Sequence, residues 1–373
     1  MPLHVLVLAG GSGTRLWPLS SAGTPKHLLP LGPGGVSLLR ATLDRVGSVG
    51  DTVHVVTAAS QASQCGEELA TAGLDPSAVI AEPEARGTGP ALGLATALLA
   101  RRDPEALILS VHADHRVGDA DAYRQAVVAS AGWALAAGSL ATVGLTPAYA
   151  SVGMGYVEKG SAMDPALWRS PASNAAAQTA NAQALPAFRA GSFREKPPKD
   201  MAEAFVSGGR HLWNLGLFAW PASLFLDELE RADPAVRDGV ERTAEAVGRG
   251  DGAAAASAYA AIPVQPVEPL LLERGAPLVV VEASFAWSDV GSWQDLYEAK
   301  LAEGAGDDQG NVVDGDAVLL DATGNEVLSR SGRTVALVDV ADLVVVDTPD
   351  ALLVVPRAGS QRVREVVERL RER

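Results

Sequence analysis

Gly10-Gly11-Ser12-Gly13-Thr14-Arg15 follows directly on an apolar run, LHVLVLA, at the start of the chain. Glycines in a tight loop let successive backbone N–H groups close on an anion, so this string has the chemistry of a phosphate cradle. It is neither of the two best-known cradles. The dinucleotide fingerprint needs a third glycine where Leu16 stands, and the P-loop needs Gly-Lys-Ser/Thr where Thr14-Arg15 stands. An ordinary tight turn after a strand would carry the same glycines. His112 and His115 flank Asp114, but Cys65 is the sole cysteine and there is no His-rich cluster, which argues against zinc and excludes a disulfide or a multi-thiolate centre.

The loop needs elements to hold it. Short apolar runs at 3–9, 52–57, 107–111 and 140–145 predict strands, and the Ala/Leu-rich stretches between them, 36–46, 62–72, 89–101 and 120–137, predict helices. That alternation implies an α/β fold, a mostly parallel sheet with helices on both faces and its binding site at the carboxyl ends of the strands. Residues 161–190, rich in Ala, Ser, Asn, Gln and Pro, read as a mobile surface excursion. Strands return near Phe193, at 213–220 and at 278–283, with helix around 199–207 and 222–261. Past Gly304, valine-rich runs punctuated by Asp-Gly, Thr-Gly and Pro predict a second, β-rich unit closed by a helix. The expected domains are 1–303 and 304–373.

Length and charge narrow the function classes. The 373 residues allow two domains, and 47% apolar with 20% charged residues fits a globular chain. A net charge of −15 argues against a general nucleic-acid or anionic-membrane surface, so any site for an anionic substrate must be locally basic. No run approaches the ~20 apolar residues of a membrane span, and the N-terminus lacks the basic start of a secretory signal. A cytoplasmic protein is expected.

The motifs extend well beyond one loop. GGSGTRLWPLS with PKHLLPL, EPEARGTGPA from Glu82, HADH from His112, FREKP from Phe193, WNLGLF from Trp213 and WSDVGSW from Trp287 together resemble the sugar-1-phosphate nucleotidylyltransferases, most closely the mannose-1-phosphate guanylyltransferases. The resemblance implies a Rossmann-like nucleotidyltransferase domain of mixed, mostly parallel sheet, followed by a small left-handed β-helix-like domain that pairs subunits into a homodimer. It implies transfer of GMP from GTP to α-D-mannose 1-phosphate with Mg²⁺, giving GDP-mannose and pyrophosphate, with small-molecule substrates and neither nucleic acid nor membrane as partner. Another sugar 1-phosphate with UTP or dTTP, or a non-catalytic sugar-nucleotide sensor, are the alternatives. The longer bifunctional relatives carry an isomerase domain, and no isomerase activity is expected of this chain.

Carried over position by position, the resemblance assigns Arg15, Lys26, Asp114 and Lys196 to catalysis. The nucleotide falls to Leu8, Ala9, Gly10, Gly11, Gly13, Thr14, Arg15, Lys26, Glu82, Arg86 and Thr88. The sugar phosphate falls to Gly155, Glu195, Lys196 and Asn214, and the metal to Asp114 and Asp289. Only five of the 30 basic residues are lysines, yet Lys26 and Lys196 both fall in motifs that would touch phosphate, where a compact charge is useful. Each aspartate taken alone is as readily a turn former or a helix cap. The chain departs from the family pattern at Gly87 and Gly89 (Asn and Ala in the family), His112 (Pro), Leu215 (Ser) and Glu268 (Asp).

Overall fold

β1 (Leu3–Ala9) is apolar at nearly every position and buried along its whole length, as a strand covered on both faces must be. The protein, here a computed structural model, is described at every residue except Ser12, Ala22, 172–183 and Arg373. The described residues form two compact units. One comprises Met1–Gly10, Leu43–His112 and Ala120–Phe285; the other comprises Gly11–Thr42, Ala113–Asp119 and Ala286–Arg373.

The first unit is built on a nine-stranded sheet. Besides β1 it contains β2 (Thr52–Ala58), β3 (Val79–Glu82) and β4 (Leu107–His112). After β5 (Arg116–Val117), which belongs to the other unit, come β6 (Leu140–Leu145), β7 (Gly155–Ala162), β8 (Ala187–Arg194), β9 (His211–Pro221) and β10 (Leu278–Ala283). Their order is β3-β2-β1-β4-β9-β6-β10-β8-β7. β1 to β4 are mutually parallel, as are β6 and β10, whereas β8 and β9 run against their neighbours. The sheet is therefore mixed, as expected, with seven of its nine strands pointing the same way although its pairings around β8 and β9 are antiparallel. Helices Thr88–Arg102 and Ala120–Ala137 supply large buried faces, and Trp220, Phe225, Leu92 and Val280 lie in one continuous core. The predicted helix at 222–261 is three helices, Ala222–Ala232, Pro234–Gly248 and Gly252–Ala260. Asp233 caps the second through Ala235 and Val236, and Pro234 at its first turn enforces the break.

The expectation of a mobile excursion over 161–190 is corrected at both flanks, and its middle, 172–183, lies outside the described residues. Met163 N donates to Ala187 O at 2.8 Å, and Trp168 Nε1 donates to Ala129 O at 3.1 Å on the helix Ala120–Ala137. Trp168 lies so close that a Cβ on Gly132 would stand 2.3 Å from its indole nitrogen. Averaged composition concealed one anchoring aromatic.

In the second unit β5 pairs antiparallel with β11 (Trp287–Ser288). The C-terminal strands are β12 (Val312–Asp314), β13 (Ala317–Leu320), β14 (Glu326–Ser329), β15 (Val335–Val338), β16 (Leu343–Asp347) and β17 (Leu352–Pro356). β12 to β16 alternate between two sheets with parallel pairing, β12-β14-β16 and β13-β15, the winding of a short β-helix, and β17 closes the first sheet antiparallel to β16. A ladder of amides holds the corners, since Asn325 Nδ2 and backbone N both donate to Asn311 Oδ1 at 3.0 Å. Leu343 N then donates to Asn325 Oδ1, also at 3.0 Å. The helix Trp293–Ala302 packs in this unit, with Trp293 and Leu296 in a core shared with Leu328 and Val344. No described helix is long and apolar enough to cross a membrane.

The second unit holds an ionic contact with one partner fully buried. Lys300 Nζ is 3.2 Å from Glu326 Oε1, and the Glu326 side chain has no exposed surface. Burial pushes the Glu326 carboxyl up to about 7 against the pull of Lys300. Breaking a buried pair strands one charge, whereas removing both does not. Glu326→Leu alone is expected to cost about 3–5 kcal/mol in denaturant unfolding, and Lys300→Met with Glu326→Leu to recover most of it. A double variant no more stable than the single would refute the pairing argument.

Candidate functional site

In the second unit the glycine loop turns into a single 3-10 turn, Thr14–Leu16, and Gly13 before it has φ 58°. Glycine is required there twice over. Its conformation is left-handed, and a Cβ would stand 2.3 Å from Cβ of Lys26. Ser20 Oγ donates to Gly13 O at 2.7 Å, which fixes the loop's return. Thr14 is partly buried and Arg15 exposed. Lys26 is only 8% exposed. Its Nζ lies 2.7 Å from Asp114 Oδ2 and also donates to the backbone carbonyl of Asp289.

The β5–β11 ladder explains that meeting. It opposes Arg116 to Ser288, so Asp114 and Asp289 leave it at the same end. Asp289 does not cap the following helix. That task belongs to Ser292, whose side chain accepts from Asp295 N. The Asp289 carboxylate lies beside Gly291, where a Cβ would be 3.3 Å from its Oδ2. Val290, a β-branched residue, is held at φ 47°, a conformation that costs energy and needs support. His115 receives Trp287 Nε1 at 3.2 Å, with the two rings edge to face. His27 is sealed in beside Lys26, and burial pushes its imidazole down to about 4, so it is neutral at pH 7.

The first unit gathers two further groups. At the end of β8, Glu195 Oε1 meets Lys196 Nζ at 3.0 Å. Lys196 has φ 44°, and its N donates to Met154 O at 3.2 Å. Gly155 is opposite Asn214 in the ladder between β7 and β9, and a Cβ on it would stand 2.6 Å from Glu195 Oε2. Asn214 is buried, its Oδ1 accepting from Thr142 Oγ1 at 2.8 Å. Gly155, Glu195, Lys196 and Asn214 are thus brought together. Glu268 joins them at the start of a one-turn π-helix, Glu268–Leu272. Burial pushes its carboxyl up to about 7, Glu195 adding to the effect and Lys196 opposing it.

The other group stands at the ends of β1 and β3. Leu8 and Ala9 are buried and Gly10 is exposed. Glu82 accepts from the Tyr259 hydroxyl at 2.5 Å, and burial pushes its carboxyl up to about 7. Arg86 is engaged by Glu84 and by Ile262 O, and Thr88 Oγ1 accepts from Val267 N at 2.9 Å. Gln265 N donates to Arg86 O at 2.9 Å and Gly89 N to Gln265 O at 3.0 Å. Gly87 has φ 87°, and a Cβ there would stand 2.6 Å from Gln265 O, so the backbone packs too closely here for a side chain. His112 is accommodated similarly, its Nε2 lying 2.6 Å from where Gly216 would carry a Cβ. Leu215 is buried at 2% exposure. Sequence reasoning missed Tyr259 and Gln265. Nothing in GAAAASAYA signals a partner for a carboxylate 177 residues earlier.

Residues 4–305 match the family described as Nucleotidyl transferase, and 315–370 match the MannoseP isomerase/GMP-like beta-helix domain. The chain belongs to the nucleotidyl transferase family. It is 36% identical over 380 residues to a mannose-1-phosphate guanylyltransferase of Escherichia coli (strain K12), covering 99% of this chain and 73% of that one. It is 33% identical to the xanthan biosynthesis protein XanB of Xanthomonas campestris pv. campestris (strain B100), over 98% of this chain and 73% of that one. Among solved structures, a Thermus thermophilus protein named mannose-1-phosphate geranyltransferase matches with a TM-score of 0.81 at 30% identity, each chain covered in full. This nucleotidyltransferase thus has the expected α/β fold and β-helical C-terminal region.

The Glu268 carboxyl gives a test independent of substrate. Its pKa is raised on folding from 4.5 to about 7, so the folded state holds the proton more tightly. The associated stability is complete below the ordinary value and is lost as pH rises through 7. Relative to Glu268→Gln, the parent is expected to lose about 1–3 kcal/mol of unfolding free energy between pH 4.5 and 8, read from denaturant titrations. Parallel pH profiles for the two proteins would show that Glu268 titrates normally.

Proposed function

We propose that this nucleotidyltransferase transfers GMP from GTP to α-D-mannose 1-phosphate, forming GDP-mannose and pyrophosphate. The observation that carries the reading is the likeness, over nearly the whole chain, to a protein named for that activity. A phosphate oxygen of the sugar 1-phosphate attacks the α-phosphorus of GTP. The bond from that phosphorus to the bridging oxygen of the β-phosphate breaks, and pyrophosphate leaves with the electron pair. Both reactants are anionic, so the protein's work is charge neutralisation and in-line placement.

In this reading the backbone of Leu8 to Gly11 and of Gly13 to Thr14 receives the nucleotide. Arg15, exposed and with a planar fork, takes two oxygens of the departing pyrophosphate. Lys26 adds a compact charge to the triphosphate. Glu82 is a buried carboxyl suited to the base edge, with Arg86 and Thr88 shaping the same segment. Lys196 holds the sugar phosphate, while Glu195 and Asn214 orient the sugar hydroxyls and Gly155 leaves room for Glu195. Asp114 and Asp289 are hard oxygen donors delivered by one ladder end, and Asp114 already attracts a cation, the Lys26 ammonium, so the donor set fits Mg²⁺. That ion, when bound, supplies further neutralisation of the reacting phosphates. Pairing of two chains through 304–373 belongs to the same proposal. The exposed Val318, Leu320 and Val338 on the outer face of β13 and β15 support it.

Pyrophosphate release, measured across a grid of nucleoside triphosphates and sugar 1-phosphates with Mg²⁺, is expected to peak at GTP with mannose 1-phosphate. A clear optimum at UTP with glucose 1-phosphate would overturn the assignment. Asp289→Asn keeps side-chain size and, since Ser292 is the helix cap, should leave thermal stability nearly unchanged. Turnover is expected to fall on the order of 10²–10³-fold, with partial recovery at high Mg²⁺. Turnover within a factor of about two of the parent would remove Asp289 from the metal site.

A further inference from the structure

Arg116 stands two residues after Asp114, in the two-residue strand β5, and its side chain is 7% exposed. A guanidinium that dry needs partners for its donors, and here each of its three nitrogens donates. Nε donates to Glu303 Oε1 at 2.7 Å and Nη2 to Glu303 Oε2 at 2.5 Å, a bidentate pair, while Nη1 donates to the carbonyl of Leu31. Each partner marks a segment of the phosphate machinery. Leu31 closes the stretch that begins at Lys26, with Leu29 N donating to Lys26 O at 3.1 Å and Leu31 N to Leu29 O at 2.8 Å. Glu303 follows the helix Trp293–Ala302, which starts just beyond Asp289. One planar group therefore joins the three segments that carry Lys26, Asp114 and Asp289.

We propose that Arg116 is a positioning residue for the nucleotidyl transfer, setting where Lys26, Asp114 and Asp289 stand relative to one another. The inference rests on the reading of those three residues given above. The β5–β11 ladder offers only two residue pairs, too short to be rigid alone. The Lys26 ammonium reaches both Asp114 and the Asp289 carbonyl only while the three segments keep their spacing. Misplacement of about 1 Å at such a site is costly in rate. Lysine cannot substitute, because a single ammonium on a flexible stem does not span a carboxylate and a carbonyl with fixed geometry.

The test is Arg116→Lys beside Glu303→Gln, each assayed well below its own melting temperature with GTP, mannose 1-phosphate and a Mg²⁺ titration. Arg116→Lys is expected to lower kcat about 10- to 100-fold and raise the Mg²⁺ needed for half-maximal rate about tenfold. KM for mannose 1-phosphate, which falls to Glu195 and Lys196, should move less than about twofold. Glu303→Gln keeps one acceptor oxygen and the shape, so its Mg²⁺ requirement should rise about threefold. A lowered melting temperature with kcat and Mg²⁺ dependence within twofold of the parent would reduce Arg116 to a structural residue and overturn the proposal. If Arg116→Lys does not fold, parent-like Mg²⁺ dependence in Glu303→Gln overturns it equally. A parent that releases no pyrophosphate from any substrate pair would sink the functional reading and this proposal with it, an outcome distinct from an active parent with indifferent variants.

Discussion

A buried ammonium is tolerable only where oxygen surrounds it, and Lys26 is held under that constraint. Asp114 supplies a carboxylate at 2.7 Å and Asp289 a backbone carbonyl, so the three residues must stay together for the lysine nitrogen to keep its oxygen partners at so little exposure. Much of the local architecture follows. Gly13 must lack a side chain because the Lys26 stem passes where its Cβ would be. Val290 must accept a left-handed backbone so that the chain can turn after offering the Asp289 carbonyl. The Arg116 fork keeps the segments from drifting.

The charge balance of the chain gives this arrangement its sense. With a net charge of −15, the molecule as a whole repels phosphates, and attraction has to be local. The first unit treats its own lysine differently. Around Lys196 it gathers Glu195 and Glu268, and burial raises the second of those carboxyls, which reduces the negative charge beside the lysine near neutral pH. Glu82, shielded and bonded by Tyr259, is a second carboxyl treated this way.

What could be read from the sequence is what depends on short, contiguous strings. The glycine loop, the strand before it and the aspartates at strand ends were legible because a turn, an apolar run and a charged residue each declare themselves within a few positions. Arg116 was not, since a strand of two residues has no periodicity and Glu303 lies 187 positions away. The same holds for Gln265, whose two backbone bonds to the Arg86–Gly89 stretch carry no side-chain signal. The excursion at 161–190 misled for the opposite reason. Its average composition is loop-like, yet a single tryptophan, Trp168, decides how its first flank is held.

The second unit is assembled from three stretches of chain, and its first, Gly11–Thr42, is separated from its last, Ala286–Arg373, by more than half the molecule. Lys26 meets its Asp289 acceptor across 263 positions, and Trp293 donates to the Trp17 carbonyl across 276. On a ribosome, where chains emerge from the N-terminal end, the glycine loop is thus made well before the last stretch of its own unit and waits for those neighbours. Contacts this distant in sequence form late. Only when Ala286–Arg373 has been made can Asp289 and Trp293 meet Lys26 and Trp17 and hold the glycine loop in its final shape.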